Sequence, residues 1–210
     1  MKKTFKGILF ALMAIISINA FAQKEETCEL YFKDFTIKAG ETKTIYLYLQ
    51  NNFLGRDFQV QVFFGEGITP VAVKARKYFV PIGRALGEGT VFSQLYDEGE
   101  RRLRMLSNNF DGESVYTPGD EPIAELKVKA DDNFSGKVIC QVKDIPGWTC
   151  KLNHDVINPD GTKGVVSVEQ KNYRKFNAYP AVTIPWLLAN GVEGGEYGIA
   201  DPVAVVAEAG

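Results

Sequence analysis

The chain has 210 residues, of which 24 are Lys or Arg, 26 are Asp or Glu and 45% are apolar, for a formal charge of −2. That balance supports one domain with a sizeable core, and the absence of a basic cluster excludes nucleic acid as the partner. Beyond the first 22 residues no apolar run approaches the ~20 residues of a membrane-spanning helix, so a multi-pass membrane protein is excluded too.

Lys2, Lys3 and Lys6 open the chain, residues 8–18 are apolar, and Ala20-Phe21-Ala22 stands before Gln23. A basic start, a short apolar run and a small-x-small site predict a signal peptide over residues 1–22. The protein is therefore expected to be exported, whether to the periplasm, the cell surface or the medium. No Cys stands at the cleavage point, so a lipoprotein anchor is not expected. Losing three lysines leaves 21 basic against 26 acidic residues in the mature chain.

Period-two alternation then dominates, the pattern of strands with one buried face. Residues 30–36 give the first candidate strand. Ile45, Leu47 and Leu49 alternate with Tyr46, Tyr48 and Gln50, and Phe58, Val60, Val62 and Phe64 alternate with Gln59, Gln61 and Phe63. Residues 70–73 and 90–96 follow, then Leu103 and Met105 between Arg102 and Arg104. Leu126, Val128 and Ala130 alternate with Lys127 and Lys129; Val138, Cys140 and Val142 come next, and Val166 and Val168 close the series. Turn residues fill the gaps, among them Lys38-Ala39-Gly40-Glu41, Asn51-Asn52, Pro118-Gly119-Asp120 and Asn158-Pro159-Asp160-Gly161. About nine short strands and no amphipathic helix predict an all-β fold, an antiparallel two-sheet sandwich with jelly-roll topology over residues 23–172.

The pattern changes after Gln170. Residues 172–177 read as a linker, and two apolar stretches, 181–188 and 199–207, flank Gly191-Val192-Glu193-Gly194-Gly195. Residues 173–210 are thus expected to be a linker and a short β-rich extension. It is either a hairpin laid on a sandwich edge or the start of a second module that is cut short, since so few residues cannot bury a core alone.

Little in the chain points to catalysis or metal binding. His154, the single histidine, neighbours Asp155 in an expected loop, and adjacent residues on an extended chain point apart, so they do not support one another. Acidic pairs such as Asp131-Asp132 and Glu98/Glu100 fall in turns, where solvation accounts for them. Asn158 with Asp160, and Asn109 with Asp111, offer oxygen ligands but too few for a dedicated calcium loop, and Asx turns explain them. No catalytic residue, metal or cofactor is expected. Cys28, Cys140 and Cys150 all lie in the mature chain. Cys140 and Cys150 flank a turn-rich stretch and are candidates for a disulfide; the alternative is that all three are buried thiols.

If Ile45, Leu47 and Leu49 face the core, Tyr46 and Tyr48 point outward, and Gln59, Gln61 and Phe63 do so on the next strand. Consecutive strands often pair. These five residues are the expected recognition surface, because aromatic rings and amides suit a protein or a sugar. The other reading is that they are ordinary outward strand residues.

The series from Thr44-Ile45-Tyr46-Leu47-Tyr48-Leu49 through Phe58-Gln59-Val60-Gln61-Val62 and Gly67-Ile68-Thr69-Pro70-Val71 to Ile123-Ala124-Glu125-Leu126-Lys127-Val128 and Gly164-Val165-Val166-Ser167-Val168 resembles the cohesin modules of bacterial extracellular assemblies, over roughly residues 28–170. Their fold is shared by a group of carbohydrate-binding modules. The resemblance implies a non-catalytic adaptor or scaffold module that holds a dockerin-like or other surface protein on one flat sheet face. The alternative it implies is a glycan-binding module. It assigns no individual contact residue.

Overall fold

A computed structural model describes residues 25–87, 89–109 and 116–181. The expected signal peptide and, apart from Ala181, both C-terminal apolar stretches lie outside the described residues, as does most of the candidate ligand turn after Asn109. Among the described residues the elements are β1 (Cys28–Phe32), β2 (Phe35–Ile37), β3 (Thr42–Asn51), β4 (Asp57–Phe63), β5 (Ile68–Val71), β6 (Phe79–Pro81), a single 3₁₀ turn (Gly83–Leu86), β7 (Thr90–Asp97), β8 (Arg102–Asn109), β9 (Gly119–Ala130), β10 (Val138–Val142), β11 (Lys151–Ile157), β12 (Lys163–Glu169) and β13 (Lys175–Pro180). No helix among them is long and apolar enough to cross a membrane.

The strands form two sheets packed face to face. The first runs β1-β3-β9-β5, with β6 also beside β9; the second runs β12-β11-β4-β10-β13-β2, with β8 on the far side of β4 and β7 beyond it. Every pairing is antiparallel except β13 with β2. This is the all-β sandwich that the alternation predicts. Leu47, Leu49, Phe58, Val62, Leu103, Met105, Leu126 and Val128 are fully enclosed between the layers, each from the apolar phase of its strand. In β9 the phase slips once: the register with β3 jumps between Leu47 and Tyr48, and Ile123 and Ala124 are both buried. Pro122, opposite Tyr48, has no N–H to give the ladder, so the bulge falls there.

Several expectations are corrected. β3 and β4 do not pair but belong to different sheets, joined by a crossing in which the Asn51 side-chain amide donates to the carbonyls of Phe53 (2.6 Å) and Tyr116 (3.1 Å). Residues 30–36 split into two strands, one in each sheet. Of the expected linker, residues 175–177 begin β13, which pairs with both β10 and β2 and buries Phe176 and Ala178. His154 and Asp155, expected in a loop, lie in β11, which pairs with β12 over seven registers.

Cys28, Cys140 and Cys150 are free and buried. Strands β10 and β11 follow one another along the same edge of β4, with Gln141 opposite Phe63 and Lys151 opposite Gln59. Cys140 and Cys150 are therefore displaced by four positions of β4, roughly 13 Å at the rise of a strand. A disulfide spans at most about 7 Å between Cα atoms, and the turn-rich stretch between the two cysteines does not close that distance.

Candidate functional site

Because β3 and β4 lie in separate sheets, the five expected surface residues divide between opposite sides of the molecule. Tyr46 and Tyr48 are on the outside of the first sheet. Tyr46 is 40% exposed. Tyr48 is half-buried: its ring stacks on Tyr31 with centroids 5.3 Å apart, and the Lys33 ammonium lies 4.1 Å from its ring centre. Tyr31 in turn donates its hydroxyl to Asp120 Oδ1 at 2.7 Å and lies under the Arg174 guanidinium at 4.3 Å. Arg174 grips Glu29 with two contacts, 2.5 Å and 2.9 Å. Most of this face is thus occupied by its own cations and carboxylates.

Gln59, Gln61 and Phe63 are on the outside of the second sheet, where residues 143–150 fold against β4. Gln59 donates its amide to the Thr149 carbonyl at 2.5 Å, and Gln61, with no exposed surface, directs its amide to the Trp148 carbonyl at 3.4 Å. Both NH2 groups hold this loop in place, and the Gln61 amide is enclosed beneath it. The Phe63 ring has the Lys143 ammonium at 4.2 Å and Arg102 at 5.9 Å; Arg102 is paired to Glu100 at 2.8 Å and Asp97 at 3.4 Å.

The same side carries a surface that the alternation of β4 did not reveal. The β8 side chains Arg104 and Leu106 stand in register with Leu95 and Ser93 of β7, and the Arg104 guanidinium lies 5.2 Å from the Trp148 ring. Ser93, Leu95, Arg104, Leu106 and Trp148 line a shallow cavity of about 250 Å³. Val91, Leu95 and, beyond β11, Val165 are 48%, 54% and 55% exposed. The outward phase of β8 was legible from Arg102 and Arg104, and continuing it two positions leads to Leu106. Trp148 sits in a turn and carried no periodic signal.

The residues weighed above for hydrolysis or metal binding are engaged elsewhere among the described residues. His154 faces Glu26 (Nε2 to Oε2, 2.9 Å) and the Phe53 ring, whereas Asp155 accepts from Arg56 at 2.9 Å. The two neighbours serve different partners, as an extended backbone requires. Asp160 Oδ1 accepts from the Thr162 backbone N–H and hydroxyl, and the Asn158 NH2 donates to the same hydroxyl, the internal bonding of an Asx turn. A larger open concavity, about 660 Å³, is bounded by Thr69, Val71, Lys129 and the Asp131-Asp132-Asn133 turn. No group of three His, Cys, Asp or Glu side chains among the described residues is placed to hold a metal ion.

No protein-family profile and no curated protein matches this chain. Solved structures do. A type I cohesin from a cohesin–dockerin complex of Clostridium thermocellum superposes with a TM-score of 0.53 at 14% identity, over 74% of this chain and 96% of that one. The seventh ScaB type I cohesin of Pseudobacteroides cellulosolvens gives 0.52 at 12% identity, over 81% and 99%. A type II cohesin domain from the cellulosome of Acetivibrio cellulolyticus gives 0.50 at 12%, over 72% and 94%. At these identities the likeness is one of fold: the described residues have a cohesin-like fold.

Proposed function

We propose that the chain is an exported, non-catalytic binding module that holds a protein partner on the outer face of its second sheet, as an adaptor or scaffold component of a bacterial surface or secreted assembly. The observation that carries the reading is the exposure of Val91 and Leu95 on that face, beside the cavity bounded by Leu106, Arg104 and Trp148; Val165 is exposed on the same face, on the hairpin that runs past β4. Apolar centres with an aromatic ring, an Arg and a polar surround are what protein interfaces select. The opposite sheet offers Lys127, Lys129, Glu121 and the exposed Tyr46, with Tyr31 and Tyr48 already engaged by charges. Solved relatives in fold include cohesins bound to dockerins, and the basic, apolar leader of residues 1–22 supports export.

Arg104→Glu and Val165→Asp are expected to weaken capture of the partner from the secretome about tenfold or more, with the circular-dichroism spectrum unchanged. Tyr46→Ala, on the other sheet, is expected to leave it intact. The reverse pattern, or retention on immobilised polysaccharide that Tyr46→Ala and Tyr48→Ala abolish, would replace this reading with glycan recognition by the tyrosine face.

A further inference from the structure

Exposed strand edges invite pairing with other chains, and proteins normally protect them. Here the free edge of β1 is occupied by Gln170, whose Oε1 accepts from the Leu30 N–H at 2.9 Å and whose Nε2 donates to the Leu30 carbonyl at 3.1 Å. β6 is served in the same way by Gln94, which accepts from the Phe79 N–H at 2.7 Å and donates to the Phe79 carbonyl at 2.8 Å. β2 is three residues long, and β12 carries Lys163 and Glu169 at its ends. β7 has no such device. Among the described residues it pairs with β8 alone, over eight registers. Residues 90–96 contain no charge and no proline, and Val91 and Leu95 are about half exposed.

We infer that β7 is a self-association edge, which pairs antiparallel with the β7 of a second copy of this chain across a twofold axis at Ser93. Directly opposed residues in a sheet must share a face, so the axis of a symmetric antiparallel pair falls on a residue and not between two. Centred on Ser93, Val91 meets the partner's Leu95 and Leu95 meets the partner's Val91, so both exposed apolar side chains are matched twice. Centred on Phe92, Val91 meets a serine and Leu95 a glycine. Centred on Gln94, Leu95 meets a serine and Val91 is set against the carboxylate of Asp97. A twofold centred on Val91 or on Leu95 pairs that residue with itself and leaves the other against a glycine. Only the Ser93 register gives both exposed apolar side chains an apolar partner, and because residues 90–96 are uncharged no like charges oppose one another within that stretch. The axis runs perpendicular to the sheet, so the second sheets of the two copies become continuous and their outer faces look the same way. A ligand displayed more than once would then be held bivalently.

Light scattering of the mature chain after size exclusion is expected to show a dimer that strengthens with concentration. Val91→Lys/Leu95→Lys should be monomeric with unchanged thermal unfolding. Val91→Lys/Leu95→Glu, which sets Lys against Glu across the axis, should dimerise again. Under mild oxidation Ser93→Cys should form a covalent dimer, and Val91→Cys should form one only when Leu95→Cys is also present. A wild-type chain that stays monomeric at every concentration, a dimer indifferent to Val91→Lys/Leu95→Lys, or a Ser93→Cys that never cross-links would overturn the inference. Each measurement is made without the partner of the sheet face. Arg104→Glu should lose that partner and keep the dimer, so the two readings fail separately.

Discussion

Burial governs the chemistry of the cysteines. It pushes the Cys28 and Cys140 thiols up to about 11 and the Cys150 thiol up to about 12, and Cys28 Sγ donates to the Val168 carbonyl at 3.2 Å. Neutral, enclosed thiols are poor nucleophiles. Iodoacetamide is expected to leave all three unmodified in the native protein and to alkylate them in denaturant; a cysteine modified under native conditions would contradict the packing. The same shifts fix a pH dependence. A folded-state value raised above the ordinary thiol value of about 9 adds stability that is fully present below it and is lost as pH rises through 11 to 12. The urea midpoint should therefore fall on the alkaline side of pH 9. Gly65 tests the packing of another residue. A methyl group there would stand 2.5 Å from Val138 Cγ1 and 2.7 Å from the Ile139 carbonyl oxygen, and the backbone of β10 cannot withdraw. Gly65→Ala is expected to cost about 1–3 kcal/mol in chemical denaturation.

Single strands vary in how openly they announce themselves. β3, β8 and β9 carry long apolar alternations, and each was legible because its inward residues are large and its outward ones polar. β13 was not: only Phe176 and Ala178 point inward, between polar neighbours, and the strand exists because β10 and β2 flank it. Phe176 nonetheless stacks on Phe32 at 4.9 Å and lies 6.5 Å from Phe35, tying the end of the described chain to its beginning. Phe176→Ala is expected to destabilise the fold by about 3–5 kcal/mol, read from the denaturant midpoint. A loss near zero would restore residues 172–177 to a linker. β11 escaped notice for a similar reason, since Leu152 is its one fully buried side chain and the rest of its hairpin with β12 runs beyond the reach of β4.

The molecule as a whole presents two outer faces of different character. One carries Tyr31 and Tyr48 engaged by Lys33, Asp120 and Arg174 beside the exposed Tyr46, the other an apolar surface around Arg104 and Trp148. Because the two are separated by the full thickness of the sandwich, substitutions on them should act independently. The double variant Tyr46→Ala/Arg104→Glu is expected to match Arg104→Glu alone in partner affinity by titration calorimetry, and a further loss would mean that both faces engage. The edge of β7 adds a third surface, at right angles to either.

Period-two alternation determined, from the sequence by itself, that this is a β-sandwich and which side of most strands faces inward, because the pleat is a local property of the backbone. Tyr46 and Gln59 were both rightly read as outward. Which sheet each strand joins was decided only by the tertiary structure, since pairing depends on partners far away along the chain. Outward on β3 and outward on β4 proved to be opposite sides of the protein. For the same reason ten residues of turn-rich chain did not bring Cys140 to Cys150, whereas Gln170 reached across 140 positions to close the edge at Leu30.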